Sequence, residues 1–150
     1  MTPKQFEQLI KTNAKQLAKA FERTIPVKVG VAAEQHFKDN FRKGGFVNGG
    51  LKAWKPAKRQ SDPKNPDRAY KTLMSRRNNL YSSIRHSVKP YTAVVSTDVP
   101  YAQAHNEGTS NAGRGHRTRI PKRQFMGESR ELTNKVQRLV VAEINKILKP

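Results

Sequence analysis

Long segments of the chain repeat apolar residues at three- and four-residue spacing, the period of a helix with one buried face. From Lys4 to Arg23 the repeating residues are Phe6, Leu9, Ile10, Leu17, Ala20 and Phe21, with Lys, Gln and Glu opposite. Thr2-Pro3 gives this helix an entry, because proline is preorganised for the first helical position. Ile25-Pro26 stops or bends it, since proline has no N–H to donate and crowds the preceding turn. A second helix is expected from about Val29 to Arg42, with Ala33, Phe37 and Phe41 on one face and Gly44-Gly45 ending it. The last helix begins near Ser129, a good N-cap with Glu131 in the first turn. Its stripe is Leu132, Val136, Leu139, Val140, Ile144, Ile147 and Leu148, and Lys146 and Lys149 suit its C-terminal end.

The middle of the chain changes period. Leu73 to His86 still reads as a helix, through Leu73, Leu80 and Ile84 with Tyr81 beside them. Ala93-Val94-Val95-Ser96-Thr97 is short and β-branched, hence a strand, with Ser87-Val88-Lys89 as hairpin partner across Pro90-Tyr91. Thr118 to Pro121 adds a further strand. Gly49 to Lys71 has no period. It carries Lys52, Lys55, Lys58, Arg59, Lys64, Arg68 and Lys71 against Asp62 and Asp67, and Pro56, Pro63 and Pro66 interrupt it. It is expected to be a long surface loop pinned by Trp54, its charges a solvated face more often than a binding site. The whole is read as one α+β domain, residues 1–150, with a small antiparallel sheet packed by the N-terminal and C-terminal helices and with long basic loops. Its parts are helical residues 1–43, a basic loop at 44–72, helix plus sheet at 73–127, and a C-terminal helix at 128–150. No internal repeat is visible.

One stretch organises the rest. Tyr101, Ala102 and Ala104 make a compact shoulder that runs through His105 to Gly108. Thr109 to Arg119 follows, rich in Gly, Ser, Asn and Arg and nearly free of apolar residues, so it is expected to be mobile in the free protein. Ile120-Pro121 then presets an extended backbone. Phe125 and Met126 are anchors, in the core or at an interface, and Gly127 allows a turn before the last helix. The pattern is a basic finger framed by Tyr101, His105, Gly108, Pro121, Phe125 and Gly127.

Charge sharpens this picture. The chain of 150 residues has 30 basic and 11 acidic residues, a net charge of +19, with 35% hydrophobic content. That much like charge favours a polyanionic or acidic partner. There is no cysteine, so disulfides, thiolate nucleophiles and thiolate metal sites are excluded. No apolar run is long enough to span a membrane, and no basic region followed by an apolar one marks a signal peptide. The simplest expectation is a protein made and kept in the cytoplasm until it assembles.

His105, Asn106, Glu107 and His116 are the one cluster that could suggest catalysis. A metal-dependent nuclease needs a general base and a set of ligands, and here one His and one Glu sit together while His116 lies on the loop. The plainer role for His105 is a hydrogen bond to backbone or a contact with an aromatic edge at the loop base. His36 and His86 are solitary, each on a helical segment. No catalytic residue, metal ligand or cofactor site is assigned. The sharper patch is Arg114, Arg117, Arg119, Lys122 and Arg123, dense in donors and free of acids, as phosphate or carboxylate contact requires. No aromatic residue lies inside the loop for base stacking, so contact with a duplex backbone or an acidic protein surface fits better. Arg123 is equally readable as a structural donor tying the loop exit to the sheet.

Taken in order, Phe37-x-x-Asn40-Phe41, Trp54-x-Pro56, Leu80-x-x-Ser83-Ile84, Tyr101-Ala102-x-x-His105-x-x-Gly108 and Ile120-Pro121-x-Arg123-x-Phe125-Met126-Gly127 resemble the virion-morphogenesis, or tail-completion, family of tailed bacteriophages and prophages. The resemblance runs from the second helix to the C-terminus and rests on the ordered set. One departure is that a Thr-Gly pair is common before the Leu-x-x-Ser-Ile helix, where this chain has Thr72-Leu73-Met74-Ser75. The resemblance implies a non-enzymatic minor structural protein of the virion. Its partners would be tail and neck or connector proteins, it would form a homo-oligomeric ring, and it would make non-specific DNA contact at most and meet no membrane. A stand-alone nucleic-acid-binding protein is the alternative.

Overall fold

The structure is a computed structural model and describes residues 1–149. Helix α1 (Pro3–Lys19) opens on a reciprocal cap. The Gln5 N–H donates to Thr2 Oγ1 (3.2 Å) and the Thr2 N–H to Gln5 Oε1 (2.8 Å), with Pro3 in the first turn.

Pro26 does not stop this helix. A π turn (Ala20–Thr24) carries it directly into α2 (Ile25–Lys43), which begins before the expected Val29. The reason is hydrogen bonding. An α-helix would ask residue 26 for an N–H to the Glu22 carbonyl, and proline has none. The Ile25 N–H reaches the Ala20 carbonyl instead, and the freed Glu22 carbonyl accepts the N–H of Tyr91 at 3.1 Å from another part of the fold. Gly44, in the left-handed region (φ 71°), ends α2 with its N–H on the Asn40 carbonyl.

The fold is α+β with small antiparallel sheets, as expected, and among the described residues the strands are divided into three separate hairpins. The first is β1 (Gly45–Val47) with β2 (Leu51–Ala53), so the expected loop from Gly49 begins as a strand pair. The second, β3 (Arg85–Lys89) with β4 (Thr92–Ser96), turns at Pro90-Tyr91 as the sequence indicates, pairing Lys89 with Thr92. Tyr91 takes a positive φ (62°) after Pro90, and its N–H faces the π turn. The third pairs β5 (Thr109–Ala112), a strand the sequence reading did not include, with β6 (Thr118–Ile120), which matches the expected strand.

The helix expected over Leu73–His86 shrinks to α3 (Asn79–Ser83). Leu73 (φ 62°) and Asn78 (φ 49°) turn the chain where helical periodicity would have continued it. Arg59 fixes that path. Its guanidinium donates to the carbonyls of Asp67 (3.2 Å), Tyr70 (3.4 Å), Lys71 (2.9 Å) and Met74 (2.7 Å), so it is a structural knot and not one of a row of solvated charges. Trp54 pins the same loop as expected, buried with its indole N–H on the Gln124 carbonyl at 2.8 Å.

Helices α4 (Ala102–Glu107) and α5 (Arg130–Leu148) complete the chain. Ser129 caps α5, accepting the Leu132 N–H at 3.3 Å and donating to the Val47 carbonyl at 2.7 Å. Helix α5 lies along α2, where Lys28 pairs with Glu143. The core gathers Ala33, Phe37, Phe41, Trp54, Leu80, Ile84, Ala102 and Phe125. Phe41 stands at its centre, edge-on to Trp54 and Tyr81 (5.6 and 5.8 Å between ring centroids) and tilted on Phe125 (5.2 Å). Each such side chain withdrawn from water contributes roughly 1.5–3 kcal/mol.

Away from this core the apolar stripes are poorly covered. Helix α1 has no buried residue, and Phe6 and Ile10 are 55% and 52% exposed. The stripe of α5 is only half-buried: Leu132, Val136, Leu139, Val140, Ile144 and Ile147 keep partial exposure, Leu148 is open, and Glu143 is the one buried residue of that helix.

Candidate functional site

The finger is built on a segment without regular structure, Pro121 to Gly127, whose main-chain groups are met from surrounding elements. The Arg123 N–H donates to the His105 carbonyl (2.7 Å). Asn106 Oδ1, on α4, accepts the N–H groups of Phe125 (2.9 Å) and Met126 (3.0 Å). Asn40, wholly buried on α2, donates Nδ2 to the Phe125 carbonyl (2.9 Å) and accepts the Val47 N–H (3.2 Å). With Trp54 on Gln124, side chains from three elements clamp this one short stretch. An extended segment can be buried only when its polar groups are paired in this way.

Arg123 belongs to the clamp. It is 8% exposed, and its Nε and Nη2 donate to the carbonyls of Lys55 (2.8 Å) and Pro56 (3.2 Å). Of the two roles open to it, the structural one is realised, which removes it from the exposed patch. Arg114, Arg117, Arg119 and Lys122 remain exposed, and none pairs with a carboxylate among the described residues. They ride on the β5–β6 hairpin or just after it, turned by Gly113 (φ 80°) and His116 (φ 50°). Gly108 (φ 77°) sits where the two arms of the hairpin meet, and a Cβ there would come within 2.8 Å of the Lys122 nitrogen. Pro121 leads out of β6 into the clamp, while Phe125 is core and Met126 packs at its margin.

His105 lies at the finger's base with its ring edge-on to Tyr101 (5.9 Å, 89°). Its Nδ1 is buried without a hydrogen-bond partner in the described residues. Burial pushes its pKa below the usual histidine value, and the charge of Arg123 adds to the effect. No three of the described His, Asp and Glu side chains come together as a metal site. His36 stays on α2, its pKa lowered chiefly by burial. His86, expected to be solitary on a helix, is on β3 and pairs with Glu34, its Nδ1 2.5 Å from the carboxylate.

A second clasp went unread in the sequence. The hairpin tip Asn48-Gly49-Gly50 closes on the start of α5. Gly49 and Gly50 N–H groups donate to the Glu131 carboxylate (3.0 and 2.9 Å), and Asn48 Oδ1 accepts the Arg130 N–H (3.1 Å).

The ordered motifs therefore share one location: Phe37, Asn40, Phe41, Trp54, Leu80, Ile84, Ala102 and Phe125 all surround the clamp. A model of the phage virion morphogenesis family matches residues 4–145. The chain belongs to that family. Membership of the virion morphogenesis family makes it a virion-associated protein with a part in building the phage particle. The match includes α1, which the sequence motifs did not reach. No curated protein and no solved structure matches the chain. No helix among the described residues is long and apolar enough to cross a membrane.

Proposed function

We propose that this virion morphogenesis protein is a non-catalytic component that completes the tail or joins it to the head, assembled in the host cytoplasm as a homo-oligomeric ring against tail and neck or connector proteins. The observation that carries the reading is the uncovered apolar stripe of α1, with Phe6, Leu9 and Ile10 open to solvent on a helix that buries nothing of its own. A stripe of that kind is the surface that subunit contact removes from water, and Val27 and Val31 on α2 and Val141 and Leu148 on α5 are further exposed apolar residues. The basic hairpin supplies the second contact. Its unpaired arginines suit acidic patches on adjoining rings or the phosphates of passing DNA, and its tip orders further against those neighbours. The test is imaging of particles made without this protein. Filled heads beside unattached tails are expected, and normally joined particles would overturn the reading.

A stand-alone nucleic-acid-binding protein is the second reading, favoured by the four exposed, unpaired basic residues of the hairpin and its exit. Filter binding against salt separates the two. Sub-micromolar affinity at physiological salt with a steep salt slope supports the binder, and weak retention supports the structural role.

A further inference from the structure

A recess of about 210 Å³ lies between the Arg59 knot and the clamp, lined by Arg59, Arg123, His105, Tyr101, Met74 and Leu80 among others. Two guanidinium groups thus face one small space. Both spend Nε and Nη2 on backbone carbonyls, and in both Nη1 makes no hydrogen bond among the described residues. Neither is paired with a carboxylate among the described residues. Beside them, His105 keeps its buried Nδ1 unpartnered. Two like charges lining one recess, with donors to spare, favour an anion between them.

We propose that this recess is a receptor for a single carboxylate, the side chain of a Glu or Asp on a neighbouring protein of the particle. The space is smaller than the roughly 300–1,000 Å³ of pockets that enclose drug-sized molecules, and it suits one side-chain tip. Met74, Leu80 and the Tyr101 ring give it an apolar wall, which matches the methylene stem of an acidic residue better than a hydrated phosphodiester. The two Nη1 groups supply donors for two carboxylate oxygens. That the carboxylate comes from a neighbour in the virion rests on the assembly reading above, whereas the chemistry of the recess is a property of the isolated chain.

The experiment therefore uses the free, full-length protein. The His105 ring and the Arg59 and Arg123 Nε–H signals are followed by NMR during titration with N-acetylglutamate N-methylamide, with its glutamine counterpart, and with inorganic phosphate at matched ionic strength. Saturable shifts with the glutamate probe, about tenfold tighter than with glutamine, are the expected result. They should persist when Arg114, Arg117 and Arg119 are replaced by Gln and disappear in Ser75→Trp, which enlarges a residue of the lining. Equal response to glutamine, no saturable response, or phosphate binding tighter than glutamate would each overturn the proposal. None of those results touches the particle-imaging test of the assembly reading.

Discussion

Helix α2 and helix α1 are one continuous rod with opposite fates. Helix α2 brings Ala33, Phe37, Asn40 and Phe41 into the core, while α1 buries no residue, although both carry a regular apolar stripe. The same contrast separates the Pro121–Gly127 clamp, where main-chain groups find partners, from the β5–β6 hairpin, whose arginines find none. Buried positions are explained by this fold alone, whereas the open stripe and hairpin are explained only under the proposed assembly. The comparison breaks first at Phe41. Phe41→Ala empties the aromatic cluster and should cost about 3–5 kcal/mol in chemical denaturation. Phe6→Ala should change stability by no more than about 0.5 kcal/mol, yet weaken self-association in sedimentation velocity. A large loss of monomer stability at Phe6 would mean that α1 is covered within its own chain after all.

The clasp between the first hairpin and α5 offers a smaller effect with a defined sign. The N–H of Gly50, the Glu131 main chain and the N–H of Gly49 together hold the Glu131 carboxyl well down, to about 2 from a usual 4.5. A carboxylate whose folded pKa is depressed stabilises the fold above its unfolded pKa and loses that contribution as pH falls through the folded value. Wild-type protein should therefore lose thermal stability relative to Glu131→Gln between about pH 4.5 and pH 2, the two melting curves converging at the acid end. Parallel curves across that range would show that the clasp holds without the charge. Because Glu131 keeps partial exposure, the effect is sensitive to salt.

How much of this was legible depended on how local each determinant is. Thr2-Pro3 and Ser129 mark helix starts through contacts within one turn, and the sequence shows them directly. The Pro90-Tyr91 hairpin is equally local. Pro26 is not. Its neighbours say that the helix ends, and a carbonyl acceptor filled by the distant Tyr91 N–H lets it continue. Leu73 to Asn78 has helical spacing, but Arg59 draws the surrounding carbonyls into a turn, so a tertiary hydrogen-bond set overrides the period. Asn106 and Arg59 act on main-chain groups that only the folded chain brings near, which leaves no signature in residue type. The stripe of α5 was read correctly as a stripe and wrongly as buried, because periodicity reports a face and not what covers it.

The smallest effect on stability, and the sharpest on function, belongs to the hairpin. The side chains of Arg114, Arg117 and Arg119 make no ion pair among the described residues, so with all three changed to Gln unfolding should stay within about 0.5 kcal/mol of wild type. If these side chains reach phosphates, the slope of duplex DNA retention against salt should fall by about one for each arginine removed. Arg123→Gln should behave in the opposite way. Its guanidinium is committed to the carbonyls of Lys55 and Pro56, so the variant should lose stability while leaving the salt slope nearly unchanged. Two arginine substitutions close in sequence would then divide cleanly between holding the finger in place and reaching out from it. A slope that falls equally for both would mean that the clamp opens when the hairpin meets its partner, and that the rigid and the receptive parts of this protein are one device.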